Sequence, residues 1–226
     1  MPVNGFYFSQ LDKLQTSLVH MGNLAGGLVG DAVAALVSRD PVLAREVIER
    51  DNELDLLEDE NEEHTIQIIA LNQPVARDLR LVVALLRVNT TIERVGDLAV
   101  NIAQTALRLS DKPEMRPYVD IPRCYDLVRE MWNDSMTCFA TMDEQMARAL
   151  RERDDKIDQA NQETILQLIQ ISSENPSCIY QATNLLGVSK TLERIADLSV
   201  DISDEVVYVC RGEFRHARSF NGRRSA

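Results

Sequence analysis

The stretch Glu93-Arg-Val-Gly-Asp97-Leu-Ala-Val-Asn101-Ile-Ala returns about 100 residues later as Glu193-Arg-Ile-Ala-Asp197-Leu-Ser-Val-Asp201-Ile-Ser. The two copies match in register, with Leu98 on Leu198, Val100 on Val200 and Ile102 on Ile202. Each carries acidic or amide side chains at i, i+4 and i+8. On a helix that spacing makes one slanting polar stripe, advancing about 6 Å per step. The apolar set Ile92, Val95, Ala99, Ile102 and Ala106 faces another way, as do Ile195, Ser199, Ile202 and Val206. An amphipathic helix with an apolar seam and an oxygen-rich stripe therefore occurs twice, which confines the fold to two similar helical units.

The sequence around each copy supports that duplication. Ala, Leu, Glu, Gln and Arg are plentiful, which favours helix, and no run of alternating β-branched residues stands out. A first helix is predicted from near Phe6 to Ser38. Asp40-Pro41 is a strong start for a second, since aspartate caps free amides and proline suits the first helical position. That helix runs to about Leu71 and stops at Asn72-Gln73-Pro74. The third, from about Val75 to Leu109, holds the first motif. Ser110 to Tyr118, with two prolines, is the one linker.

The pattern then restarts. A fourth helix is predicted from roughly Pro122 to Thr141, and Asp143 takes the place of Asp40. Glu152-Arg-Asp154 matches Glu49-Arg-Asp51, and Ile157-Asp158 matches Leu54-Asp55. Asn175-Pro176 breaks the chain, and a sixth helix reaches about Cys210. The expected fold is all-α: two tandem antiparallel three-helix bundles related by internal duplication. The first covers residues 1–112 and the second 113–212, followed by a basic tail at 213–226. Helices of this length, about 50 Å, make an elongated molecule.

One feature resists helix formation. Gly22, Gly26, Gly27 and Gly30 crowd three turns of the first helix, and each interior glycine costs about 1 kcal/mol relative to alanine. Either they give a smooth face on which another helix packs closely, in the bundle or across a dimer, or the segment bends.

Charge and cysteines narrow the function. The 226-residue chain carries a formal charge of −12 and a pI of about 4.7, which excludes nucleic-acid binding through phosphates. Four cysteines without CxxC spacing suit a reducing, cytoplasmic setting. The start, Met1-Pro-Val-Asn, has no signal-peptide pattern, and no uninterrupted apolar run of about 18 residues marks a transmembrane segment. The tail holds Arg211, Arg215, Arg218, Arg223 and Arg224 against Glu213. It reads as a solvated end, or as a contact for an acidic partner or a membrane surface.

Carboxylates four residues apart repel one another on an isolated helix by a few tenths of a kcal/mol, so something must offset the stripes. Salt bridges to Arg94 and Arg194, or to Arg77, Arg80 and Arg87, are one answer; a solvated acidic face is another. The third is a metal site. Oxygen ligands suit hard cations such as magnesium, calcium, manganese or iron rather than structural zinc. One stripe supplies ligands from one side only, so acids on a neighbouring helix must complete the site; Asp51 and Asp55, or Asp154 and Asp158, are placed to do so. Catalytic patterns are missing. His20 and His64 lack the preceding glutamate of a di-metal oxidase; only Glu213-Phe-Arg-His216 has it, in the tail. No phosphate loop, GxSxG or CxxC motif is present.

The twin motif, the segment Gln73-Pro-Val-Ala-Arg-Asp-Leu-Arg80 and the Asp-x-x-x-Asp signals resemble the PhoU family of bacterial phosphate-regulon regulators, over nearly the whole chain. The resemblance implies two three-helix bundles, a cytoplasmic location and often a homodimer. It implies no enzymatic activity but the damping of phosphate-starvation signalling through contacts with the ATPase subunit of the phosphate ABC transporter and a membrane sensor histidine kinase. It also implies metal clusters on the stripes, nominating Glu93, Asp97 and Asn101, then Glu193, Asp197 and Asp201, with Asp51, Asp55, Asp154 and Asp158 in support. The ion expected is iron, manganese, magnesium or zinc. Asn101 is neutral where Asp201 is charged, so the two sites are expected to differ. Tyr180 stands where Arg80 would repeat, so any shared arginine role is in doubt there. The alternatives are a metal-storage or metal-dependent bundle enzyme, or a structural adaptor without metal. An acidic stripe repels bare phosphate, so the metal-free chain is not expected to bind it.

Overall fold

The structure, a computed structural model, describes residues 5–115 and 119–212; the side chains of Glu152, Asp154 and Asp155, and the whole basic tail at 213–226, lie outside the described residues. Six helices follow in order: α1 (Gly5–Ser38), α2 (Pro41–Asn72), α3 (Ala76–Leu109), α4 (Ile121–Thr141), α5 (Glu144–Glu174) and α6 (Ile179–Arg211), with a 3-10 turn at Pro176–Cys178 before α6. No strand occurs among the described residues.

Local chemistry sets the helix boundaries. The Asp40 carboxylate accepts from the amides of Val42 and Leu43, with Pro41 in the first turn. Asp143 does the same for Gln145 and Met146, so the cap repeats in the second unit without its proline. Each cap satisfies amides that the helix itself cannot, worth about 1 kcal/mol. α6 ends on Gly212 at φ 75°, and the Arg80 guanidinium carbon lies 3.3 Å from where a Cβ would stand there. A side chain at that position would be strained by its backbone and crowded by Arg80.

α2 packs on α1 and α3, and α5 packs on α4 and α6; the two trios join through α1 against α4 and α3 against α6. The apolar seams read from the sequence are the ones buried: Ile92, Val95, Ala99 and Ile102 are sealed from solvent, and so are Ile195, Ser199, Ile202 and Val206. A buried Leu or Ile side chain contributes about 1.5–3 kcal/mol, and one continuous core runs through both trios.

The glycines of α1 serve the first of the two roles expected for them, inside the chain. A Cβ on Gly22 would meet Met136, one on Gly26 would meet Trp132, and one on Gly30 would meet the Tyr125 hydroxyl. The Trp132 indole donates to the Gly22 carbonyl at 3.0 Å. Gly27 points away, with nothing near. α4 thus lies down on the smooth face of α1, in the opposite direction. By length and apolar composition α1 is the one helix among the described residues that could cross a bilayer; half of the qualifying window is buried in the bundle, as in a core helix.

α3 and α6 are also antiparallel, for Arg87 reaches Glu205 and Arg108 reaches Asn184. One end of the molecule therefore gathers the starts of α1 and α3 and the finishes of α2 and α6. The other gathers the finishes of α1, α3 and α5 and the starts of α4 and α6. The acidic stripes lie between these ends, where α2 covers α3 and α5 covers α6.

Candidate metal centre

Four sequence-nominated acids come together between α2 and α3. Asp51 feels the charges of Asp55 and Asp97, and Glu93 feels those of Asp97, Glu58 and Asp55. Burial, then those like charges, lifts Glu93 to about 7 against the partial relief of Arg94. The same causes lift Asp51 to about 6. Glu58, absent from the sequence nominees, completes the group. Burial raises it first, then Glu62, Asp59 and Asp55, while a hydrogen bond from Thr90 opposes them. Its spacing of seven from Asp51 and three from Asp55 places it on the same face of α2, which is the signal that could have found it.

Arg94 is the one cation that acts on these charges, at a distance and on Glu93. None of Asp51, Asp55, Glu58, Glu93 and Asp97 forms an ion pair among the described residues, and Arg87 is spent on Glu205. Asp51 Oδ1 is sealed from solvent without a hydrogen-bond donor. It lies 2.6 Å from where a Cβ on Gly96 would stand, and Leu54 lies closer still. The glycine of the first motif is what lets α2 bring Asp51 down onto α3.

The second groove is built differently. In the register that matches Asp55 with Asp158, Glu58 falls on Asn161, whose amide donates to Glu193 and accepts from Ser189. Thr90 falls on Lys190, whose ammonium lies 2.6 Å from Glu193. Ala196 replaces Gly96. Asp197 is still raised, by burial and then by Glu193 and Asp158, with Arg194 and Lys190 opposing. Asp158 is exposed on α5, and the Asp154 side chain lies outside the described residues.

Asn101 lines an open cleft between α3 and α6 with Arg94, Asp97, Leu98, Arg194, Asp197 and Leu198, so the two motif copies face each other there. Asp201 is half-buried on α6.

Oxygen-only donors, a sealed unbonded carboxylate oxygen and no competing ammonium make the first groove chemically suited to a hard cation. In the positions they occupy, however, no three His, Cys, Asp or Glu side chains among the described residues form a ready cage for an ion. In the second groove Glu193 is already neutralised by the chain's own Lys190, which leaves it less suited.

A family model described as the PhoU domain matches residues 18–106 and again 121–206. A "Phosphate-specific transport system accessory protein PhoU homolog" of Pseudomonas putida is 33% identical over 92% of this chain and 82% of its own. One of the same description from Aquifex aeolicus is 34% identical over 91% and 93% respectively. The crystal structure of PhoU from Pseudomonas aeruginosa superposes with a TM-score of 0.87 at 30% identity, covering 92% of this chain and all of that one. The phosphate transport system regulatory protein PhoU from Streptococcus pneumoniae does so at 0.85 and 25%, over 92% of this chain and 98% of its own.

Proposed function

The chain belongs to the PhoU family, and from that premise we propose that it is a non-enzymatic, metal-associated regulatory adaptor of phosphate uptake. It represses phosphate-starvation signalling and modulates a phosphate ABC transporter when phosphate is plentiful. It acts in the cytoplasm as a homodimer, on the transporter's ATPase subunit and a membrane sensor histidine kinase. The names of the relatives, accessory proteins of a phosphate-specific transport system, support the setting. Long two-layer helical faces suit an adaptor.

The observation that carries the metal part is the groove between α2 and α3, where five carboxylates share one region and none of them forms an ion pair among the described residues. Asp51, Asp55, Glu58, Glu93 and Asp97 would hold the ion. When bound, it would supply the positive charge that favours the ionised forms of Asp51, Glu58 and Glu93. Gly96 admits Asp51, and Thr90 steadies Glu58. The missing ready-made cage favours a second reading, an adaptor whose grooves carry no metal.

The test is complementation of a strain lacking the protein, read with a starvation-responsive reporter at high phosphate. The wild type should silence the reporter and co-purify with the ATPase subunit and the kinase. Glu93→Gln/Asp97→Asn should fold but leave the reporter on. A reporter unaffected by deletion of the protein would overturn the regulatory reading. Full silencing by the double variant would overturn the role of the cation alone.

A further inference from the structure

The outer face of α2 has a periodicity of its own. Asn52, Leu56, Asp59, Glu63, Ile66 and Ala70 are all exposed, and their spacings alternate between four and three residues. That alternation is the row along which one helix lies against another. It runs for about 27 Å. Leu54, Asn61, Thr65 and Ile68 are the buried side of this part of the helix, packed on α1 and α3. The row is on the other side and is left uncovered, with Leu56 64% exposed and Ile66 55%.

Charge selects what can lie on it. From Asp51 to Ala76 the sequence has eight acidic residues and no lysine or arginine. Glu53, Glu60 and Glu62 flank the row, and neither they nor Asp59 and Glu63 form an ion pair among the described residues. The equivalent face of α5 is different. In the register that matches Asp55 with Asp158, the positions from Leu56 onward become Gln159, Gln162, Leu166, Ile169 and Ser173, without a carboxylate. Glu163 beside them has Arg123 at 3.9 Å. So one of two equivalent helices sets exposed aliphatic side chains in an unneutralised acidic field. That field repels an anionic bilayer, nucleic acid and the same row of a second copy. A bare cation has no use for Leu56 and Ile66. A basic helix with aliphatic side chains of its own satisfies both features.

We propose that the outer face of α2 is a docking surface for a basic amphipathic helix of a partner protein. Aliphatic side chains about 15 Å apart on that helix sit on Leu56 and on Ile66 with Ala70. Lysines or arginines between them meet Asp59 and Glu63. Glu53, Glu60 and Glu62 favour basic flanks, as charges beside a coiled-coil row do. The row is a different face of α2 from Asp51, Asp55 and Glu58, so the proposal does not rest on the cation groove.

The probe is a fluorescent peptide of about 20 residues, long enough to form a helix. It is built of lysine, alanine and leucine, with two leucines ten residues apart and lysines between them. The full chain is titrated into it without divalent cation, and anisotropy reads the binding. Binding is expected and should fall at high salt. A peptide of the same composition with its leucines on opposite faces should bind about tenfold more weakly. Leu56→Ser/Ile66→Ser should weaken the first peptide by about tenfold or more, and Asp59→Asn/Glu63→Gln by severalfold. Leu166→Ser/Ile169→Ser, on α5, should bind as the wild type does. All the replaced residues are exposed, so circular dichroism should be unchanged. No binding, equal binding of the two peptides, or no loss in the α2 variants would mean a merely solvated acidic face and overturn the proposal. Equal loss in the α5 variant would overturn it as well. So would a self-association that Leu56→Ser/Ile66→Ser abolishes while peptide binding persists, because the row would then be an interface between copies of this chain.

Discussion

The grooves under α2 and under α5 occupy equivalent places, and both run along the same Glu-Arg-x-x-Asp motif, yet they solve one electrostatic problem in opposite ways. Under α5, Lys190 and Asn161 quench Glu193 from within. Under α2, Thr90 and Glu58 stand in those positions and the charge is left open, so Glu93 rises to about 7. The steric difference lies inside the motif, at Gly96 against Ala196, and the electrostatic one is carried by residues outside it. The same acidic pair therefore does not make the same site; the neighbour three residues upstream and the facing helix decide whether a carboxylate is free to take a cation.

The largest effect that separates the two grooves is steric. Gly96→Ala would place a methyl group 2.3 Å from Leu54 Cδ2 and 2.6 Å from Asp51 Oδ1, so α2 must shift or its side chains must re-aim. We expect a loss of about 2 kcal/mol in chemical denaturation, in the range for overpacking. Ala196→Gly in the second groove removes contacts instead, and should lose about 1 kcal/mol through helix propensity alone. Equal losses at both sites would mean that the close approach under α2 is not special.

Next comes cation affinity. Titrating the metal-free protein with manganese should show one tighter class of site. Glu93→Gln/Asp97→Asn should weaken it by about tenfold or more, roughly 1.4 kcal/mol. Glu193→Gln/Asp197→Asn should leave it nearly unchanged. The reverse ranking would place the site under α5 and show that Lys190 does not keep a cation away from Glu193.

Much of this was legible in the sequence, for a physical reason. Period-3.6 apolar seams, Asp40 and Asp143 as caps and the proline breaks are local signals, and the helices begin and end within a residue or two of them. The partner of the glycine stripe was not legible, because Trp132 and Met136 reach it from more than a hundred residues away. Nor was the whole inequality of the grooves. The charge difference between Asn101 and Asp201 is legible in the sequence, and Asn101 lines the cleft between α3 and α6 beside Asp97. Two further substitutions, Glu58 to Asn161 and Thr90 to Lys190, gain their meaning only once α2 is laid on α3 and α5 on α6. A pattern within one helix shows which residues share a face, not what that face meets.

A smaller effect is a pH dependence that belongs to the first groove. Glu93 is raised from 4.5 to about 7 and Asp51 from 3.8 to about 6. In both, the folded state holds a proton that the unfolded chain releases. Their contribution is therefore complete below about pH 4 and is lost as pH rises through 6 to 7. Thermal unfolding of the metal-free protein should show stability falling across that window, and Glu93→Gln should flatten the fall. A divalent cation should restore stability at pH 8 and add little at pH 5, where protons occupy the same oxygens. If Glu193→Gln flattened the profile as much as Glu93→Gln, the assignment to the first groove would fail.

The smallest effect is the most direct exchange between the grooves. Thr90→Lys gives α3 the ammonium that α6 has at Lys190, three residues before the motif glutamate. An exposed pair of this spacing contributes only about 0.2–0.5 kcal/mol, and the change also removes the hydrogen bond from Thr90 to Glu58. Net stability at pH 8 should therefore move by a few tenths of a kcal/mol at most. The informative readout is elsewhere. The new ammonium should lower the Glu93 titration toward its ordinary range and compete with manganese, weakening it severalfold. Lys190→Thr should do the opposite under α5, letting manganese bind there more tightly. If nuclear magnetic resonance titration showed Glu93 indifferent to Thr90→Lys, the contrast would have to rest on Glu58 and Asn161 alone. Glu58→Gln would then be the variant that makes the first groove behave like the second.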